Sequence, residues 1–169
     1  MLSVLADGRA LIDRLRKTAS EYKLENGVQI PVSYLARKGA DDNQSFTQQA
    51  FRRPYGVEII LAHIDEVTGP SIFKIDPAGH FCGYKAVASG VKEQEATNQL
   101  EKLFKQNKED NKTIGGTDTI TTAIDILQNV VGNDFKATDI EVGIASVDNT
   151  AFRTLTEAEI EVHLNTIAD

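Results

Sequence analysis

Tyr55-Gly-Val-Glu-Ile-Ile-Leu-Ala-His-Ile64 is a nearly continuous apolar run. It is short and rich in branched residues, which marks a strand rather than a helix. A strand with no polar face needs cover on both sides. Downstream, Thr68-Gly69-Pro70 is a turn signal, and Ser71–Asp76 reads as a second strand. Pro77-Ala78-Gly79 makes a tight turn into a third strand over His80–Ala88. Three consecutive strands with short turns predict an antiparallel meander.

Upstream lie two helices. Leu11, Leu15, Ala19 and Tyr22 repeat at helical spacing within 6–26, with Ile12 widening the stripe. Asp7 is placed to accept bonds from first-turn amides, and Asn26-Gly27 suits a left-handed stop. Arg9–Asp13 and Asp13–Lys17 are spaced as ion pairs on the wet face. The second helix starts after Pro31, carries Val32, Leu35/Ala36, Gly39, Phe46 and Ala50, and ends at Arg53-Pro54. Gly39 lies in the middle of that stripe, at a cost of about 1 kcal/mol against Ala unless close packing requires it.

Beyond the meander, Ala96, Leu100, Leu103 and Phe104 predict a helix over 92–106. A further helix over 117–131 carries Ile120, Ala123/Ile124, Leu127 and Val130/Val131, and Gly132-Asn133 stops it. Ile140–Val147 alternates as a strand, and Phe152–Leu155 follows the turn at Asp148-Asn149 as its partner. The last helix opens with the capping box Thr156-Glu157-Ala158-Glu159 and buries Ile160, Leu164 and Ile167. The order ααβββααββα is α+β. Apolar strands needing layers above and below point to a helix–sheet–sheet–helix sandwich. The 169 residues show no repeat or linker and read as a single domain, 1–169.

The net charge of −7 opposes binding to nucleic acid or an anionic membrane surface. No apolar run is long enough to span a bilayer, and Met1–Asp7 lacks a basic stretch, so it does not read as a secretory signal. Cys82 is the sole cysteine, which rules out an intrachain disulfide; it reads as a small packed residue. His63, His80 and His163 are far apart in sequence and no zinc spacing occurs, so no metal or cofactor is expected. The triplets Asn43-Gln44-Ser45 and Asn111-Lys112-Thr113 are not expected to be glycosylated.

Thr113-Ile-Gly-Gly-Thr-Asp-Thr119 has the composition of an anion site before a helix, but its glycines lack the Walker and dinucleotide spacings. It reads as a turn and helix cap. Asp65/Glu66 and Glu157/Glu159/Glu161 read as a strand end and a helix start rather than acid–base pairs. No catalytic arrangement has a local signature, which favours a scaffold or binding role.

Several segments together resemble the alpha-type subunits of the 20S proteasome core particle. They are Ala6-Asp7-Gly8-Arg9, Thr47-Gln48, Arg53-Pro54-Tyr55-Gly56-Val57, Asp76-Pro77-Ala78-Gly79, Gly83-Tyr84-Lys85-Ala86 through Ala88-Ser89-Gly90, and Leu100-Glu101-Lys102. The tail, Ile140–Ile144 and Phe152–Ile160, resembles the iota type in particular, as do Gly69-Pro70 and Asp76–Lys85. The resemblance covers essentially the whole chain and implies an N-terminal-nucleophile-hydrolase-like αββα sandwich. It is incomplete here: the family carries a gate-forming tail, a short helix and several strands ahead of the point matching Met1, so about half the strands are absent. Ser3, Val4 and Leu5 then resemble the rim of the pocket that receives activator tails. At Gly39 the family usually has a bulky apolar residue, so a void is expected unless a neighbour fills it.

The resemblance implies a non-catalytic structural subunit at the first position of the alpha ring, restricting substrate access in ubiquitin-dependent degradation. Its partners would be other alpha and beta subunits, with activator particles engaged only if the pocket is completed, and its location cytoplasmic and nuclear. The shortened front implies either a sequence read short or a subunit whose open edges are covered by partners. Two alternatives remain open: a hydrolase relative with a processed terminal nucleophile, and a stand-alone small-ligand protein using the Gly115-Gly116 turn.

Overall fold

The computed structural model describes residues 4–65, 69–109, 117–133 and 135–168. The chain divides into two units, residues 1–85 and 86–169.

In the first unit, α1 (Val4–Asn26) and α2 (Val32–Gln48) precede β1 (Ile59–Asp65), β2 (Gly69–Ile75) and β3 (Phe81–Tyr84). The strands form an antiparallel sheet in the order β1-β2-β3, as the meander reading requires. Helix α2 lies on one face of the sheet, and α1 packs against α2. Leu11 and Leu15 of α1 bury with Ile59, while Ala36 and Ala40 of α2 bury with Ile75. The register explains the division. Ile59↔Ile75 and Leu61↔Phe73 point to the helices, while Ile60↔Lys74 and Ala62↔Ile72 point away.

That second face is open. Ile60 and Tyr84 are each 43% exposed, and Ala62 and Cys82 are exposed beside them. Its one lysine, Lys74, is neutralised by Glu58 at 2.8 Å. The expectation of cover on both faces of the apolar run is therefore corrected: among the described residues, the helices cover one. Cys82 is corrected likewise, from packed to exposed, because it falls on the outward register.

Helix α1 stops as expected, with Gly27 at φ +74° donating its N–H to the Lys23 carbonyl at 2.9 Å. Ile12 is 42% exposed and does not join the stripe. Asp13 pairs with Arg16 and Lys17 with Glu21, each at 3.7 Å, in place of the expected Arg9 and Lys17 partners of Asp13. At Gly39 the two helices and the sheet meet. A Cβ there would lie 3.0 Å from Leu15 Cδ2 and 3.2 Å from Ile75 Cδ1, so neighbours fill the space. Asn43 is 1% exposed and its Nδ2 donates to the Asp76 carbonyl at 2.9 Å, which ties α2 to the end of β2.

The second unit holds α3 (Glu93–Glu109), α4 (Thr117–Val131), β4 (Gly143–Ile144), β5 (Arg153–Thr154) and α5 (Glu157–Ala168). Helix α4 packs against both α3 and α5. Its bounds match the sequence reading, but its buried face is Ile124, Ile126 and Val130, with Leu127 45% and Val131 41% exposed. The Lys92 ammonium donates to the Val130 carbonyl at 2.6 Å, closing the end of α4. The strand expected over Ile140–Val147 pairs only at Gly143↔Thr154 and Ile144↔Arg153. Phe152 lies so close to Gly143 that a Cβ there would meet its ring at 2.5 Å. Two helix ends differ from expectation: α3 runs on to Glu109, and α2 stops at Gln48, before Ala50 and well before Arg53-Pro54.

Candidate functional site

The early end of α2 builds the site. Gln49 takes up extended backbone at φ −96°, ψ 118°, and the Arg52 N–H donates to the Gln49 carbonyl at 3.0 Å. The chain turns there, and Pro54 keeps Arg53 out of helical backbone. Arg53 is thereby turned toward the first turns of α1.

Asp7, only 9% exposed, receives it. Arg53 Nη1 donates to Asp7 Oδ2 at 2.7 Å and Nη2 to Oδ1 at 2.8 Å. The Gly56 N–H adds a third bond to Oδ2 at 3.0 Å. Forked pairing of guanidinium and carboxylate is among the stronger charge-assisted contacts. The Arg53 guanidinium, with help from the Gly56 amide, holds the Asp7 carboxyl down at about 2. The same contact raises Arg53. The expected capping role of Asp7 is corrected. Helix α1 begins earlier, at Val4, and the carboxylate spends its lone pairs on a segment distant in sequence. A carboxylate so engaged is a clamp joining α1 to the lead-in of β1, not a base.

Beside the clamp lies a groove of about 330 Å³ lined by Asp7, Arg14, Phe46, Arg52, Arg53 and Tyr55. Its floor is the Phe46 ring, 5.1 Å from the Tyr55 ring. Two more guanidinium groups stand over Phe46, that of Arg14 at 5.0 Å and that of Arg52 at 4.8 Å from the ring centre. Arg14 also lies 3.6 Å from Asp42, a loose ion pair.

A second knot ties the β2–β3 turn to α2. Asp76 Oδ1 accepts the His80 N–H at 2.8 Å, and the Gly79 N–H donates to the Asp76 carbonyl at 3.2 Å. Gly79 has φ +90°, and a Cβ there would sit 2.6 Å from the Ala40 carbonyl oxygen. The turn can approach α2 only because residue 79 has no side chain.

Of the residues singled out from sequence, Asp7, Arg53, Pro54 and Gly56 meet in the clamp, and Asp76, Pro77 and Gly79 in the turn. Arg9 is exposed and joins neither. Ser3, Glu66 and the Thr113–Gly116 stretch with Gly115-Gly116 lie outside the described residues, as does the side chain of Val4; Leu5 is 66% exposed. Glu159 pairs with Arg153 and with both the amide and the hydroxyl of Thr156, contacts that hold it at about 2. Sequence reasoning missed Arg14, Arg52 and Tyr55 as groove residues. Arg14 lies two helical turns beyond Asp7, which places both on one side of α1, and that was the available signal. Among the described residues no group of three or more His, Cys, Asp or Glu could hold a metal ion, and no helix is long and apolar enough to cross a membrane.

Comparison with known proteins identifies the company this arrangement keeps. The Proteasome family, described as "Proteasome subunit", matches residues 4–145. "Probable proteasome subunit alpha type-1" of Schizosaccharomyces pombe is 41% identical over 169 residues, all of this chain and 68% of its own length. "Proteasome subunit alpha type-6" of Caenorhabditis elegans is 37% identical over 99% of this chain and 67% of its own length. An archaeal "Proteasome subunit alpha", from Picrophilus torridus, is 32% identical over 96% of this chain and 66% of its own length. The chain thus spans about two thirds of the length of these relatives.

Proposed function

Since this chain belongs to the proteasome subunit family, we propose that it is a non-catalytic wall subunit of the outer alpha ring of a 20S core particle. The observation that carries the reading is the alignment of the whole chain with an alpha-type subunit at 41% identity. Its contribution is contact, with other alpha subunits at its sides and beta subunits beneath, so that substrate access is restricted without chemistry of its own. The iota-type tail motifs favour the first ring position, and the setting is ubiquitin-dependent degradation in cytoplasm and nucleus.

The finer fold is the N-terminal-nucleophile-hydrolase αββα sandwich, occupied by residues 1–169 as one domain. The open sheet face supports it. Ile60, Ala62, Ile72, Cys82 and Tyr84 present an apolar surface of the kind a second sheet covers. Ser3, Val4 and Leu5 contribute to the rim of the activator pocket, so activator particles engage this subunit where that pocket is complete. The test is affinity purification of the tagged full chain from cells. Alpha and beta subunits in the eluate are expected; a chain recovered without them overturns the reading.

A further inference from the structure

The clamp explains Asp7 and Arg53 but not the two guanidinium groups beside them. Arg14 and Arg52 come from different elements, yet both stand about 5 Å from the centre of the same ring. Stacking on Phe46 restrains both side chains, so less rotamer freedom remains to be lost when they meet a ligand. Among the described residues Arg52 has no carboxylate partner, and Arg14 has only the loose contact to Asp42. With Asp7 matched by Arg53 and Arg14 in loose contact with Asp42, Arg52 leaves the groove a net positive charge on a chain whose net charge is −7. Arg53 and Arg14 each already hold a carboxylate of the chain itself. Phe46 is buried beneath the two guanidinium groups, and the half-buried Tyr55 ring beside it offers apolar contact to the methylenes of a glutamate.

We propose that the groove between α1, the end of α2 and the Arg52–Tyr55 segment is a docking site for an acidic peptide segment of a partner protein. Arg52, joined by Arg14 in exchange for its loose contact with Asp42, would grip its carboxylates, Phe46 would hold the two guanidinium groups in place, and Tyr55 would support its side-chain stems. A groove of about 330 Å³ takes one or two side chains rather than a folded surface. The site goes beyond the ring reading, because it predicts peptide binding by the full chain whether or not that chain enters a ring.

The test is fluorescence anisotropy of a labelled Glu-rich pentapeptide titrated with the full chain at low salt. Saturable binding is expected, weakening at least tenfold in Arg14→Gln/Arg52→Gln and by less than twofold in the control Arg16→Gln/Arg37→Gln. Should the double variant unfold, Arg52→Gln alone is compared, since Arg52 is exposed and its loss spares the clamp. No saturable binding, or equal loss in the control, overturns the proposal. So does displacement of the peptide by inorganic phosphate at equal concentration, which would make the groove a small-anion site.

Discussion

The Asp7 carboxylate joins pieces of chain nearly fifty positions apart, and its chemistry sets a pH window. Arg53 and the Gly56 amide hold its folded value at about 2, below the value near 4 of an unfolded aspartate. Its contribution to stability is therefore fully present above about pH 4 and is lost as pH falls toward 2. Denaturation midpoints measured from pH 7 to 2 should fall more steeply through that window for the parent chain than for Asp7→Asn; superimposable profiles would show that the clamp holds nothing. Two glycines give opposite expectations. Gly79→Ala combines positive φ with a clash against backbone, and should cost about 3 kcal/mol in urea unfolding. Gly39→Ala meets only the ends of Leu15 and Ile75 and gains helix propensity, so it should change stability by less than about 1 kcal/mol. Sequence flagged Asp7, Arg53 and Gly56 but paired none of them, because no local pattern encodes a contact so remote along the chain. Arg52 stayed invisible because an arginine before Arg-Pro reads as ordinary surface charge.

Among the elements, those with local signals were legible and those fixed by tertiary contact were not. The Gly27 and Gly132 stops and the Thr156 box are local devices, and each stands where the sequence put it. The box is reciprocal: the Thr156 N–H donates to Glu159 at 2.8 Å, and the Glu159 N–H to the Thr156 hydroxyl at 3.4 Å. Thr156→Ala should lower stability by about 1 kcal/mol and reduce amide protection in the first turn of α5, read by hydrogen exchange. The end of α2 falls before Arg53-Pro54 because Gln49 leaves helical backbone and the chain turns at Arg52, a break that no local signal marks. The buried face of α4 differs from the expected stripe because α4 packs against both α3 and α5, and Ile126, off the favoured helical repeat, is buried. The strand ends shrank for a related reason: a ladder needs a partner at each register position, and residues 140–142 and 145–147 have none in strand form.

For the whole molecule, the open sheet face is the feature with most consequence. Its residues are apolar by sequence apart from Lys74, which is why the run at Tyr55–Ile64 reads as doubly covered, yet among the described residues helices cover only one side. Ile60→Asp should lower the stability of the free chain by only about 1 kcal/mol, since the side chain is 43% exposed, while sharply reducing recovery with partner subunits. Unchanged recovery would mean that this face lies outside the assembly. As a wall subunit of a ring, the chain must be found within a large particle. Gradient sedimentation of the tagged chain from cell extract, with mass spectrometry of each fraction, tests it most directly. The chain should travel with alpha and beta proteasome subunits in a fast-sedimenting particle; a chain confined to the slow fractions, free of them, would exclude it from the ring.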